Sequence, residues 1–87
     1  MQYRIPDDVL HRVVQTDTVI LNAATNAYVS LNGSAGRIWE LFGAGHTTEE
    51  VQAMMVDEFD VETDVVAADV EATLQSLLQR GLLEPSA

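Results

Sequence analysis

The chain has 87 residues, enough for one domain around one hydrophobic core, and its hydrophobic fraction of 47% is typical of a folded protein rather than a disordered one. The 14 Asp and Glu residues against 4 Arg and no Lys give a formal net charge of -10, which opposes binding to nucleic acids and to anionic membrane surfaces. The absence of cysteine excludes disulfides, thiolate metal sites and thiol catalysis.

The N-terminal residues lack the basic segment and apolar run of a signal peptide, and no apolar stretch approaches the roughly 18–20 residues that a membrane span requires. We therefore expect a soluble, cytoplasmic protein that forms a single domain over residues 1–87. Because the chain is strongly acidic, a basic or neutral partner would complement its charge.

Three segments rich in β-branched residues occupy the first third of the chain. They are Val9–Gln15, Thr18–Ala23 and Ala27–Leu31. Short turns separate them, and Asn26 in the second turn is the non-glycine residue that best tolerates a positive φ. The pattern predicts a three-stranded antiparallel meander whose last strand lies at an edge of the sheet.

From Asn32 onward the hydrophobic period becomes helical. A first helix, capped by Asn32 or Ser34, would bury a face formed by Ala35, Ile38, Trp39 and Phe42. Thr47 and Glu50 have the spacing of a capping box and predict the start of a second helix. Its buried face would be Val51, Met54, Met55 and Phe59.

Thr63 is the expected cap of a third helix, and Gly81 is the residue expected just after its end. The apolar stripe of this helix is formed by Val66, Val70, Leu74, Leu77 and Leu78. Three strands followed by three helices predict an α+β fold resembling a winged helix-turn-helix.

No group of residues in the sequence has the types and spacing that indicate catalysis. Neither His11 nor His46 belongs to a metal-ligand pattern, and we expect both to be solvent-facing polar residues. Ser30 and Ser34 lack the glycine pattern of a nucleophile elbow, and the glycine-rich segments lack the lysine of a phosphate loop. We therefore expect no enzyme activity, no cofactor and no metal.

Peptide binding is the activity that the predicted third strand supports. An unpaired edge strand exposes backbone N–H and C=O groups and can accept an added strand. Tyr28–Leu31 carries no charge, lysine or proline that would blunt such an edge. The third helix offers a second wall, with Val66, Asp69 and Thr73 along one flank. Alternatively, Val29 and Leu31 face the core while a helix covers the edge.

Eight short motifs resemble the pyrroloquinoline-quinone biosynthesis protein D family, also called the RiPP precursor peptide recognition element, and the resemblance covers roughly residues 9–83. Their order and spacing carry the resemblance. They are Leu21-Asn22, Thr25-Asn-Ala-Tyr28, Leu31-Asn32, Ser34-Ala35, Ile38-Trp-Glu-Leu41, Thr48-Glu-Glu-Val51, Asp69-Val70 and Arg80-Gly-Leu-Leu83. One departure is Asn26, which stands where many relatives have glycine.

The resemblance implies a winged fold that binds the leader region of a ribosomally made precursor peptide and presents it to a separate leader protease or modifying enzyme. The leader would add a strand beside the third strand and lie against the third helix. The free-standing type from lasso-peptide biosynthesis is favoured, with a precursor carrier in pyrroloquinoline quinone biosynthesis as the alternative. The implied peptide-binding residues are Tyr28, Val29, Ser30, Leu31, Val66, Asp69, Val70, Thr73 and Leu77.

Two hypotheses from other classes of function compete with leader binding. A winged-helix transcription regulator shares the order of helices, but Asp64, Asp69 and Glu71 on its third helix would repel phosphates. A structural homodimer, paired through the exposed strand, could exist beside peptide binding.

Overall fold

The computed structural model describes residues 2–86, in which strands precede helices and a short strand follows them. The elements are β1 (Gln2–Arg4), β2 (Val9–Val14), β3 (Asp17–Asn22), β4 (Ala27–Leu31), α1 (Gly33–Gly43), α2 (Thr48–Phe59), α3 (Thr63–Gln79) and β5 (Glu84–Ser86). The predicted α+β order of three strands and three helices is confirmed. No helix in this part of the chain is long and apolar enough to cross a membrane.

The larger sheet has the order β2-β3-β4, with both pairings antiparallel, so the predicted meander is confirmed. The loop before β4 turns through Asn26, whose φ of 61° lies in the left-handed region. Asparagine tolerates this conformation better than other non-glycine residues, as expected from the sequence. The first hairpin turns through Gln15, with φ 58°, a residue that the sequence pattern did not single out.

The helix starts follow local hydrogen bonding. The Asn32 side chain accepts a hydrogen bond from the Ala35 N–H (2.9 Å), and Thr47 and Glu50 form the expected capping box. The expected cap at Thr63 is wrong. Glu62 holds the extended N-cap conformation, its side chain makes no capping bond, and Thr63 is already helical.

The core lies between the inner face of the larger sheet and the three helices. Trp39 and Phe42 of α1 are fully buried there with Ile20 of β3, and the Trp39 indole N–H donates to the Leu82 carbonyl oxygen (3.0 Å). Gly36 lets α1 approach β3, because an added Cβ would lie only 2.6 Å from the Thr18 hydroxyl oxygen. Trp39 therefore acts as a core residue, as its position on the apolar stripe predicts.

One expectation about side-chain burial is corrected. Phe59, expected in the core, is 45% exposed, because α2 ends there and Asp60 turns the backbone through a left-handed conformation. His11 is exposed, as expected, although its ring also packs edge-on against Trp39 with ring centroids 4.9 Å apart. The residue belongs to the inner face of the sheet, since its cross-strand partner is the buried Ile20.

A second, two-stranded sheet joins the ends of the described chain. β1 pairs antiparallel with β5, and the Arg4 side chain donates to a Glu84 carboxylate oxygen (2.6 Å). Tyr3 of β1 packs edge-on against Phe42, with ring centroids 5.4 Å apart. Strands of three residues carry too little pattern to be recognised in a sequence, and these two were not predicted.

Candidate functional site

β4 forms one edge of the larger sheet, because β3 is its only strand neighbour in the structure of residues 2–86. Just beyond the β2–β3 ladder, the Ala23 N–H donates to the Asp8 carbonyl oxygen (2.8 Å). This bond identifies Ala23 and Asp8 as a hydrogen-bonded pair, and hydrogen-bonded and non-hydrogen-bonded pairs alternate along an antiparallel ladder. The odd-numbered residues of β3 therefore bond to β2, and the even-numbered ones bond to β4. On β4, the backbone groups of Tyr28 and Ser30 therefore point away from β3, toward the open edge.

A groove runs between this edge and α3. Its lower part is a cavity of about 360 Å³ between β4 and the C-terminal half of α3. Its upper part is a cavity of about 370 Å³ among α1, the end of α2 and the N-terminal half of α3. Both are lined by Asn32, Ala35 and Thr73, which makes them one continuous groove.

The four residues named on β4 divide between the two faces of the sheet. Val29 and Leu31 are half-buried and pack against the core on the inner face, and Leu31 lines the groove. Tyr28, 72% exposed, belongs to the outer face together with Ser30. Ser30 lines the groove at the edge of the strand, whereas the Tyr28 side chain takes no part in the lining.

The five residues named on α3 all line the groove, but they differ in exposure. Asp69 is exposed and Thr73 is half-buried, so both can contact a ligand directly. Val66, Val70 and Leu77 are at most 6% exposed. They belong to the core and form the floor of the groove.

Several lining residues were not identified as site residues from the sequence. Phe59 and Val61 border the upper cavity, which makes its rim strongly apolar. Asn32 lies where the two cavities meet, and its carboxamide is already held by α1. The signal that could have identified Phe59 is its place at the last turn of α2, directly before the acidic loop.

The groove carries two opposite charges, one in each cavity. Asp69 lines the upper cavity and Arg80 the lower one. They are 11 residues apart, about 16 Å along a helix axis. Neither takes part in an ion pair within residues 2–86. An extended ligand could therefore meet a carboxylate at one end and a guanidinium at the other.

The apolar rim is held by an ion pair between two helices. The Arg37 side chain on α1 donates to both carboxylate oxygens of Glu58, at 3.0 and 3.1 Å, one residue before Phe59. This hydrogen bond with Glu58 is the main reason why the pKa of Arg37 is raised. The guanidinium thus fixes the end of α2 beside the upper cavity.

Within residues 2–86, no three side chains of the His, Cys, Asp and Glu types form a group that could hold a metal ion. His46 does contact a carboxylate, with its Nδ1 3.5 Å from a Glu50 oxygen. That pair lies at the start of α2, away from the groove. The groove itself offers backbone groups, an apolar floor and two opposite charges, which are features suited to binding an extended chain.

The family described as Coenzyme PQQ synthesis protein D (PqqD) matches residues 17–83. This match covers most of the chain, including β3, β4 and all three helices. The chain belongs to the PqqD family, as the sequence motifs indicated.

Two solved structures are similar over almost the whole chain. One is described as TbiB1 in complex with the TbiA(beta) leader peptide, with 30% sequence identity, a TM-score of 0.86, and 97% of this chain and 98% of that chain covered. The other is a lasso peptide synthetase B1 complexed with the leader peptide, at 24% identity and a TM-score of 0.87, covering 98% and 100% of the two chains. The second shows likeness of fold alone. No curated protein sequence matches the chain.

Proposed function

We propose that the chain binds the leader region of a ribosomally synthesised precursor peptide and delivers it to a separate maturation enzyme, without catalysing a reaction itself. The observation that carries the proposal is the open edge of β4 facing α3 across a continuous groove. The leader would add a fourth strand beside Tyr28–Leu31. Its side chains on the inner face would lie against Val66, Asp69, Val70, Thr73 and Leu77.

The free backbone groups of Tyr28 and Ser30 would supply affinity that does not depend on the leader sequence. Selectivity would come from the groove, since its floor and rim favour apolar side chains. Asp69 and Arg80 would favour one direction of the peptide. The net charge of -10 makes DNA a poor alternative ligand for this fold.

Delivery requires no chemistry from the chain. A leader held in the groove keeps the rest of its precursor nearby, and a short flexible tether corresponds to an effective concentration on the order of millimolar. The enzyme would then meet its substrate at a raised concentration and in a restricted orientation. This function would place the chain in the cytoplasm, where the ribosome makes the precursor.

The 30% identity with TbiB1, whose structure holds a leader peptide, supports leader binding, and the order of the sequence motifs favours a lasso-type precursor. The family description favours the alternative, a carrier of the precursor of coenzyme PQQ. The two alternatives use the same groove and differ in the peptide that it receives.

The test is a fluorescence anisotropy titration of the full chain with three labelled peptides: the leader of the cognate lasso-type precursor, a scrambled version of it, and a PQQ precursor peptide. We expect saturable binding of the cognate leader at micromolar concentrations or below, which corresponds to about 8 kcal/mol or more. Tighter binding of the PQQ precursor would select the alternative. Equal binding of the scrambled peptide, or no binding at tens of micromolar, would contradict leader recognition.

A further inference from the structure

The groove between β4 and α3 is electrically asymmetric. Among the described residues, its upper cavity is lined by Asp69 and by no cation, and its lower cavity is lined by Arg80 and by no carboxylate. Both side chains are exposed, and neither forms an ion pair within residues 2–86. A charge that faces a groove without a partner in its own chain is available to a ligand of opposite sign.

Further acidic residues surround the upper end of the groove. Five of the eight residues in the segment 57–64 are acidic, and Phe59 and Val61 of the same segment line the upper cavity. Of these five acidic residues, only Glu58 forms an ion pair in the described part of the chain, with Arg37. Carboxylates of one sign around a cavity raise the local concentration of cationic groups. The upper end of the groove therefore attracts a basic side chain.

β4 and α3 run in opposite directions along the groove. Asn32, which follows β4, lines the upper cavity together with Asp69. At the other end, an added Cβ at Gly81 would lie 3.5 Å from the Asn22 side-chain nitrogen, and Asn22 pairs with Ala27, the first residue of β4. The strand therefore starts near the C-terminal end of α3 and ends near the upper cavity.

An added strand has a preferred direction on this edge. Both pairings within the larger sheet are antiparallel, and antiparallel pairing is slightly more stable per residue than parallel pairing. A leader strand antiparallel to β4 runs in the direction of α3. Its N-terminal residues would lie at the upper cavity beside Asp69, and its C-terminal residues at the lower cavity beside Arg80.

The two groove charges also define a spacing. Asp69 and Arg80 lie about 16 Å apart along the helix axis, a distance that roughly five residues of an extended strand span. Side chains on one face of a strand are an even number of residues apart. Two leader side chains that both face α3 and meet these charges would therefore be about four or six residues apart.

We propose that the groove recognises a charge pattern in the leader, namely a basic side chain at Asp69 followed about four or six residues later by an acidic side chain at Arg80. The proposal rests on the proposed function and makes Arg80 a specificity-determining residue. The reversed direction of the peptide would be excluded, because reversal brings like charges together at both ends. Arg80 also occupies the C-cap position of α3, where a cation is stabilising, so its variants require a stability measurement beside the affinity.

The test is an anisotropy titration of the full chain with the cognate leader and with two charge-reversed leaders. One leader variant replaces the basic residue of the pattern with Glu, and the other replaces the acidic residue with Lys. We expect Asp69→Lys and Arg80→Glu each to weaken binding of the parent leader about tenfold at low ionic strength, and less in about 1 M salt. Asp69→Lys should regain most of its affinity with the first leader variant, and Arg80→Glu with the second.

Glu71→Lys and Arg12→Glu are the matched controls. Both residues are exposed, and neither lines the groove. They change the net charge of the chain as Asp69→Lys and Arg80→Glu do, so they separate a local charge effect from a general one. Leader affinity should stay within about twofold of the parent chain in both controls. Thermal melts followed by circular dichroism verify that all four variants are folded.

A nitroxide label on the N-terminus of the leader measures the direction of the bound peptide. It should broaden the backbone NMR signals of Val61 and Asp69 more than those of Arg80 and Gly81, because the N-terminus would lie at the upper cavity. The opposite pattern of broadening would overturn the proposed order of charges.

The outcomes separate the two proposals. No leader binding by the parent chain would overturn the proposed function and this inference with it. Normal binding of the parent leader by folded Asp69→Lys and Arg80→Glu would overturn this inference alone. A loss of affinity that neither charge-reversed leader restores would do the same, because the residues would then act through the structure of the groove. A cognate leader that lacks a basic and an acidic residue at the stated spacing would also overturn it.

Discussion

The two edges of the three-stranded sheet are chemically similar but differ in what lies beside them. Both β2 and β4 have one strand neighbour, and both carry alternate backbone groups that point outward. On β2 the outward residues include Val13, and on β4 they are Tyr28 and Ser30. Only the β4 edge, within residues 2–86, borders a groove walled by α3.

This difference shows why an open edge is not by itself a peptide-binding site. Backbone bonding gives the same pattern of donors and acceptors along any strand, so it cannot select a sequence. A second wall buries one face of the added strand and offers pockets to its side chains. We therefore interpret β4 together with α3 as the peptide-binding site, and β2 as an open edge that lacks a second wall.

The largest expected effect comes from filling the groove. Thr73 is half-buried and lines both cavities. Thr73→Phe would occupy the space of the peptide side chains. Overpacking of this kind costs about 2 kcal/mol, so we expect leader affinity in the anisotropy titration to fall about thirtyfold.

Ala68→Phe is the matched control, because Ala68 is exposed on the same helix and does not line the groove. It should leave leader affinity within twofold of the parent chain. Equal loss of affinity in both folded variants would contradict the role of α3 as the second wall.

A smaller effect is expected from proline at the open edge. Ser30→Pro removes an outward N–H, and a proline there is tolerated on an edge strand. Loss of one backbone hydrogen bond, about 1 kcal/mol, and the obstruction by the ring should lower leader affinity about tenfold. Ser30→Ala keeps the N–H and should bind normally.

Val13→Pro makes the equivalent change on β2, where the N–H also points outward and the side chain is exposed. Leader affinity should be unchanged. The comparison of the two edges fails if Val13→Pro weakens binding as much as Ser30→Pro, with both proteins folded by thermal melting.

The smallest effect concerns stability away from both edges. The pKa of Glu50 is lowered from its usual value, mainly because its carboxylate accepts a hydrogen bond from the Thr47 N–H. A depressed folded-state pKa means that the stabilisation is present above the unfolded pKa of about 4.3 and is lost as pH falls through the folded value.

Urea unfolding of the parent chain and of Glu50→Gln between pH 7 and pH 3 measures this effect. The stability advantage of the parent chain should shrink as the pH falls below about 4.3. Leader affinity at pH 7 should not change, since Glu50 does not line the groove. A pH-independent difference would exclude the ionised carboxylate as the cause.

The sequence alone determined the features that depend on interactions between residues close together in the chain. The bounds of β4, the turn at Asn26 and the capping box of Thr47 with Glu50 were all predicted correctly, and the cap of α1 is Asn32, one of its two predicted candidates. Each depends on hydrogen bonds or backbone preferences within a few residues. The Thr63 cap failed because Glu62 and Thr63 are both compatible with a helix start, and local pattern did not choose between them.

The tertiary structure decided which strand edge faces a helix, and thereby where the groove lies. The groove joins residues from α1, α2, α3 and β4, and its apolar rim includes Phe59, which helical periodicity assigned to the core. The pairing of β1 with β5 also joins segments distant in the chain. Hydrophobic periodicity identifies the apolar face of a helix or strand, but only tertiary packing decides which residues that face contacts.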